Sequence, residues 1–119
     1  MAVSFPTAGQ LRERIRIERH KVESDGMGGQ EGAWRSIITG IPAKISPRRG
    51  SEDVRSQRLS GISEFDLWIR SSEESRSIKT GDRAVDERSG RIFDIRWIGN
   101  LDERNRWLVL TALVGGNAQ

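Results

Sequence analysis

Hydrophobic and polar residues alternate with a period of two in several short stretches of the chain. The first is LRERIRIERH over residues 11–20, where Leu11, Ile15 and Ile17 share one parity and Arg14, Arg16 and Glu18 take the other. This is the pattern of a β-strand with one buried face and one wet face. A helix fits less well, because Leu11 and Ile15 share a helical face that Ile17 cannot join. We therefore predict a strand over residues 11–20.

A second strand is predicted over residues 33–45, with a change of phase near its middle. Its apolar residues form two sets of opposite parity, which are Trp34 and Ile38 before the change, and Ile41, Ala43 and Ile45 after it. A bulge or bend at Gly40 reconciles the two sets, because a bulge inserts one extra residue into a strand. Pro42 indicates an edge position or a break in the ladder, since proline has no N–H to donate.

The second half of the chain carries the remaining strand patterns. They cover residues 64–70, 83–86, 91–98 and 107–114. In the third of these, Phe93, Ile95 and Trp97 are expected to share one face. The last, WLVLTALV, is apolar on both parities, so we expect it to be the most central strand. Glycine-containing or polar turns separate the segments.

Five or six short strands, with no convincing long helix, predict an all-β barrel or sandwich. We favour a small β-barrel of about six antiparallel strands with a long flexible loop. The length is typical of one domain. We therefore expect residues 1–119 to form a single β-barrel domain, with flexible ends at about residues 1–9 and 115–119 and a long loop over residues 47–62.

The central loop differs from its surroundings. Residues 47–61 read PRRGSEDVRSQRLSG, with only Val54 and Leu59 as large apolar residues. A connection this long is uncommon in a compact domain and is usually functional or disordered. It offers little apolar area to offset the entropy of ordering, so we expect it to be mobile in the free protein. The EDVRSQRL run has no helix breaker, so a short helix there is compatible with the sequence.

The loop also concentrates arginine. Its four arginines are Arg48, Arg49, Arg55 and Arg58. One interpretation is that they contact DNA phosphates without reading sequence. The other is that they pair with Glu52, with Asp53 or with a neighbouring subunit and serve assembly. The residues leave both open, and the four arginines are the candidate DNA-channel or interface residues.

A second set of arginines lies in the first strand. Its members are Arg12, Arg14, Arg16 and Arg19. We interpret them as the wet face of that strand, because arginine also protects exposed sheet edges from unwanted pairing.

Composition limits the class of protein. The apolar fraction is 34%, so the core is modest and the domain is suited to being a subunit that gains stability from its neighbours. The formal net charge is +3, and the 17 acidic residues are interspersed among the basic ones. Mild basicity permits contact with nucleic acid, but we favour a solvated surface of mixed charge as the explanation of the net charge. No secretory leader and no apolar window of membrane-spanning length are visible, so we expect a cytoplasmic protein without membrane contact.

The sequence offers no catalytic, cofactor or metal residues. There is no cysteine, and the single histidine, His20, cannot build the usual zinc or triad arrangements. The glycine-rich run over residues 25–29 lacks the Lys-Ser/Thr that follows a phosphate loop, so it is interpreted as a hairpin turn. The acidic pairs lie in turns, where carboxylates are normally solvated. We therefore predict that the protein is not an enzyme.

The order of the motifs resembles a known family. The runs GQLRERIRIERH, DGMGGQEGAW and PAKISPRRGSE, followed by TGDRAVD, GRIFDIRWIGN and LDERNRWLVL, are similar to phage head–tail joining proteins of the head-closure or stopper type. The resemblance covers about residues 9–114. One departure is Phe93, where that family often has tyrosine.

The resemblance implies a structural neck component, also found in gene-transfer-agent-like particles. Such a subunit forms a ring, as a hexamer or dodecamer, between the portal or adaptor protein and the tail terminator or tail tube. The ring joins head to tail and helps retain packaged double-stranded DNA, which passes through the channel without sequence-specific contact. The resemblance also implies assembly in the host cytoplasm, a final location in the particle neck, and a channel-facing role for residues 48–61.

Two alternatives remain open from the sequence. One is a monomeric OB-like nucleic-acid-binding module, which would stack bases on aromatic side chains exposed along a strand. The tryptophans here lie in or beside apolar runs, which is more typical of core or interface residues. The other alternative is a neighbouring tail-terminator protein.

Overall fold

Six antiparallel strands close into a barrel in the order β1-β2-β3-β6-β5-β4. The computed structural model describes residues 6–24, 26–48, 61–100 and 106–115. The strands are β1 (Glu13–Ser24), β2 (Gln30–Pro47), β3 (Ile62–Arg70), β4 (Arg83–Asp86), β5 (Ile92–Gly99) and β6 (Trp107–Gly115). Two 3₁₀ turns cover Ala8–Gln10 and Ser75–Ser77. The predicted all-β barrel is confirmed.

The core is formed by side chains that point into the barrel, which occur at every second position along most strands. The largest fully buried side chains are Ile15, Ile17, Leu67, Ile69, Phe93, Ile95 and Leu110. The parity pattern of the sequence placed all but the last of these on a buried face. Strand β6 is buried on both parities from Trp107 to Ala112, as its uniformly apolar sequence predicted. No helix in the described part of the chain is long and apolar enough to cross a membrane.

The phase change near Gly40 is a bulge at the predicted place, but a further register shift between Ile38 and Ser36 puts Trp34 on the outer face, so Trp34 and Ile38 do not share a face as predicted. Ile15 lies opposite Ile41 and Ile17 lies opposite Ile38, so a step of two residues in β1 faces a step of three in β2. Gly40 lies within that longer step at φ +67°, in the left-handed region that favours glycine. Pro42 lies one residue beyond the end of the ladder between β2 and β3, where no N–H is needed on that side.

A bulge in β5 overturns the prediction for Trp97. Ile95 lies opposite Ala112, but Trp97 lies opposite Thr111. A step of two residues in β5 therefore faces a step of one residue in β6. The extra residue reverses the parity of the strand. Trp97 therefore points outward and is 51% exposed, while Ile98 packs against the core. Sequence periodicity missed this bulge because no glycine or proline marks it.

Strands β1 and β2 are longer than predicted and outrun their other neighbours. They pair with each other from Glu13 to Ser24, whereas β4 lies beside β1 only from Ile15 to Glu18. Likewise β3 lies beside β2 only from Ala43 onward. Residues 19–24 and 30–35 therefore leave the barrel as a two-stranded projection, which we call the arm. The prediction from the sequence ended these strands early, because residues 20–24 are mostly polar and do not alternate with apolar residues.

The bulge can be tested with a matched pair of substitutions. Replacing Gly40 or Gly9 with alanine adds a Cβ that meets nothing within 4 Å in either case. Only Gly40 has a positive φ, so we expect Gly40→Ala to lower the free energy of unfolding by about 1–2 kcal/mol. Gly9→Ala should change it by less than about 0.5 kcal/mol. Urea denaturation measures both, and equal effects would contradict the bulge geometry.

Candidate assembly surfaces

One end of the barrel brings together the roots of the long loop and the β4–β5 turn. Here β2 ends, β3 begins, and the turn over residues 87–91 comes back beside the start of β1. An open groove of about 600 Å³ lies at this end, and its lining includes Glu13, Ile45, Pro47, Phe65, Arg88 and Arg91. We call this end of the barrel the loop end.

Aromatic rings and arginines form the floor and rim of the loop end. Phe65 and Phe93 meet edge to face with ring centroids 5.4 Å apart. The Arg91 guanidinium lies 4.9 Å and 5.0 Å from the two ring centroids, within cation–π range. Arg88 donates from Nη2 to both carboxylate oxygens of Glu13 at 2.8 Å. The end is therefore ordered and carries guanidinium groups near its surface.

Of the four candidate loop arginines, the structure describes Arg48. Its backbone N–H donates to the Glu64 carbonyl at 2.9 Å, which extends the β2–β3 hairpin by one pair. Its guanidinium nitrogens lie 3.7 Å from Glu64 Oε1 and 3.6 Å from Asp66 Oδ2. The side chain is about half exposed, so these loose pairs stabilise little.

The sequence had not proposed these carboxylates as partners, because they belong to the next strand and not to the loop. The other three candidates, Arg49, Arg55 and Arg58, lie outside the described residues, as does the expected mobility of residues 49–60. The structure therefore brings Arg48 to the loop end and leaves the remaining candidates as predictions.

The far end of the barrel, where the arm begins, is held on one face by a cluster around Glu18. The buried Glu18 carboxylate accepts hydrogen bonds from Arg16 Nε at 2.8 Å and from Arg83 Nε at 2.7 Å. The Arg83 guanidinium also lies 4.2 Å from the ring centroid of Trp34. The edge-on ring of His20 is 5.2 Å from the same tryptophan. A glutamate, two arginines and two rings thus join β1, β2 and β4.

Burial opposes ionisation of Glu18, but its arginine partners outweigh that effect. Desolvation raises the pKa of Glu18, whereas the hydrogen bonds from Arg16 and Arg83 and their positive charges lower it, and the net direction is below the ordinary 4.5. The ionised cluster is therefore part of the folded state near neutral pH.

The opposite face of the arm's base is held by Arg19 and Asp82. Arg19 donates from Nε and Nη2 to the two Asp82 oxygens, both at 2.9 Å, and from Nη2 to the Ser77 carbonyl at 3.0 Å. Asp82 is buried, and its hydrogen bonds to Arg19 raise the arginine pKa above its ordinary value. The interpretation of Arg19 as a wet-face residue was wrong, because it has the inward parity of Ile15 and Ile17. Charge alone does not reveal that difference, but parity does.

Large apolar side chains are exposed at three places in the described residues. Val22 on β1 is 59% exposed, Met27 in the β1–β2 turn is 90% exposed, and Trp97 on β5 is 51% exposed. The indole of Trp97 lies across Gly99, where a Cβ would collide with it. By contrast Trp107 is buried, with the Arg70 guanidinium 4.8 Å from its ring centroid.

No group of three His, Cys, Asp or Glu side chains within the described ranges is arranged to hold a metal ion. The ordered features of the surface are the arginine-bearing loop end, the braced arm and the exposed tryptophan. Together with the closed barrel they define a small all-β domain.

Comparison with known proteins identifies the family. Residues 6–115 match the model of the phage head completion proteins, so the chain belongs to the phage head completion protein family. This confirms the resemblance drawn from its motifs and gives the chain a structural role in the phage head or neck, as part of the virion. None of the curated proteins matches the chain.

Two solved structures share the fold. The solution structure of protein SF1141 from Shigella flexneri 2a is similar, with a TM-score of 0.64 and 22% identity over 93% of this chain and 97% of that one. A chain in the virion of a native gene transfer agent particle has a TM-score of 0.58 and 20% identity, over 88% of this chain and 96% of its own length. Both show a likeness of fold.

The Glu18 cluster generates a test of pH dependence. Because the pKa of Glu18 is lower in the folded than in the unfolded chain, its contribution to stability is complete above pH 4.5. That contribution is lost as the pH falls through the folded pKa. Glu18→Gln should lower the free energy of unfolding by about 1–2 kcal/mol at pH 7 and by less at acidic pH.

The matched control is Glu13→Gln, which removes a carboxylate from the more exposed pair with Arg88. It should lower the free energy of unfolding at pH 7 by less than Glu18→Gln does, because exposed ion pairs contribute little. Urea denaturation between pH 7 and pH 3 measures these differences. A Glu18→Gln variant with an undiminished loss of stability in acid would show that another group carries the effect.

Proposed function

We propose that this protein is a neck component that forms a ring between the portal or adaptor protein and the tail, joins head to tail and helps retain packaged DNA. Membership of the head completion family supports a position where the filled head is closed. The similar fold of a chain in a gene transfer agent virion supports use of this barrel in an assembled particle. In this proposal the subunits assemble in the host cytoplasm, as a hexamer or dodecamer.

The observation that carries the DNA-retention part of the proposal is the concentration of guanidinium groups at the loop end. Arg88 and Arg91 line the groove there, and Arg48 directly follows Pro47, which also lines it. Arg49, Arg55 and Arg58 belong to the segment between Arg48 and Gly61, and both of those flanking residues lie at the loop end. A loop directed toward the ring axis would therefore present several cations to passing DNA.

Ring symmetry makes a weak contact effective. Each guanidinium adds a modest, salt-sensitive attraction to phosphate that carries no sequence information. A ring repeats that attraction once per subunit, and the repeated contacts act on one DNA end at high effective concentration. Non-specific retention of any packaged sequence follows, which is what head closure requires.

The described aromatic residues do not favour the alternative of an OB-like binding module. Such a module stacks successive bases on several aromatic rings along a strand face. Among the described aromatic residues, Trp97 is exposed by about half, whereas Phe93 and Trp107 are buried. One exposed indole offers no platform for consecutive bases.

The loop arginines are tested by replacing all four, Arg48, Arg49, Arg55 and Arg58, with serine. If they line the channel, particles should assemble with tails attached but lose DNA, because the phosphate contacts are gone. Replacement of the same four residues with lysine keeps the charge and should restore retention. Electron microscopy scores the tails, and nuclease sensitivity of the particle DNA scores retention.

Other outcomes assign the loop a different role. Heads without tails would show that the arginines serve assembly. Normal assembly together with normal DNA retention would reject both roles and leave the loop as a spacer. Raised salt should increase leakage from particles of the original sequence, because the contact is electrostatic.

A further inference from the structure

The arm is an incomplete piece of sheet. Its two strands pair with each other from Arg19 to Ser24, and in the described residues no third strand lies beside either of them along this length. An isolated two-stranded hairpin is marginally stable in water. Here Arg19–Asp82 on one face and Arg83–Trp34 on the other fix its base to the barrel. The fold therefore holds an unsupported element in a fixed direction.

One face of the arm carries His20, Val22 and Trp34. His20 lies opposite Trp34, and Val22 lies opposite Gly32, so these four residues share a face. Gly32 leaves room for the His20 ring, which a Cβ at that position would strike. Val22 remains 59% exposed beside them. An exposed valine beside two rings gives this face a small apolar patch, and exposed apolar patches are typical of interaction sites.

The opposite side of the barrel carries a second exposed apolar side chain, Trp97. Trp97 lies opposite Thr111, while Val109 lies between Trp68 and Gly99 in its ladders, so these residues share the outer face of β3, β6 and β5. Val109 is only 3% exposed, whereas Trp97 is 51% exposed. The outer face around Trp97 is therefore closely packed, and the Trp97 indole is the one large apolar side chain on it that is exposed among the described residues. We call it the Trp97 wall.

The strand order places the two surfaces on opposite sides of one subunit. In the closed order β1-β2-β3-β6-β5-β4, the β1–β2 pair and the β6–β5 pair are three strands apart in either direction. Two different surfaces on opposite sides cannot satisfy each other within one chain. A contact between two such surfaces on different copies would be head-to-tail, and contacts of that kind generate a ring when the rotation closes.

We propose that the arm of one copy packs, through the face bearing His20, Val22 and Trp34, against the Trp97 wall of the next copy. This inference rests on the proposed ring and names the contact that builds it. Six residues of extended strand span about 20 Å, and the molecule's longest dimension is 55 Å against 26 Å for its shortest. The arm therefore has the reach to cross a neighbouring barrel wall.

The size of the surfaces fits assembly inside a particle. A two-stranded face about 20 Å long and about 10 Å wide covers a few hundred Å². That is below the roughly 800 Å² per partner of a standard stable interface. The contact should therefore be weak between free subunits and become stable when a ring closes on its neck partners.

The absence of cysteine from the chain permits a direct cross-linking test. The double variant Val22→Cys and Trp97→Cys is oxidised mildly, both as the purified full-length protein at high concentration and in assembled particles. We expect a ladder of covalent multimers longer than dimers, because each copy contributes one partner to each of two contacts. Either single variant should give dimers at most.

The matched control pairs Val22→Cys with Ala8→Cys, since Ala8 is exposed and lies in the 3₁₀ turn before β1, not on β5 or β6. It should give no ladder. In a second measurement, Val22→Asp should weaken self-association of the full chain about tenfold in sedimentation while leaving its unfolding midpoint unchanged. Val22→Thr, which keeps a β-branched side chain, should weaken it less.

Failure of this inference is distinguishable from failure of the proposed function. No ladder from Val22→Cys/Trp97→Cys in either preparation, with particles that contain a neck ring, would overturn the arm contact and leave the ring intact. A ladder in the purified protein, with no copy of the chain in the neck, would support the contact and reject the neck role. Unchanged self-association of Val22→Asp would also contradict the contact.

Discussion

Closure of the barrel through its shortest strand is the constraint on which the rest of the structure depends. Strand β4 has four residues, Arg83–Asp86, and it is the link between β1 and β5. So short a strand contributes few ladder hydrogen bonds. Two ion pairs reinforce the same seam, because Glu18 binds Arg83 and Arg19 binds Asp82. Each pair joins β1 to β4 or to the residue immediately before it.

The same ion pairs give the arm its direction. Glu18 and Arg19 are adjacent residues with side chains on opposite faces of β1, so they fasten the strand from both sides where it leaves the barrel. Beyond them the hairpin has no further sheet neighbour in the described residues. A modest core thus supports a projecting element through a small number of well-satisfied charges, in keeping with a protein whose apolar fraction is 34%.

Sequence periodicity predicted most of the fold, and its failures have physical causes. Gly40 made the bulge near it predictable, because a positive φ favours glycine. The bulge before Trp97 contains no glycine or proline, so the sequence pattern did not reveal it. The sequence pattern did not predict the arm, because the distal parts of β1 and β2 lack alternation of apolar and polar residues. Arg48 is the candidate arginine that the structure describes, and its carboxylate partners, Glu64 and Asp66, lie on β3. That pairing depends on the register between β2 and β3. Long-range register is what single-sequence patterns do not contain.

The central claim is that copies of this barrel form a ring in the neck of a phage-like particle. Electron-microscopic reconstruction of intact particles tests it most directly, with the barrel fitted into the density between portal and tail. The account predicts a closed ring of six or twelve copies, with the loop end facing the axis. A single copy on the axis, or no copy in the neck, would contradict it.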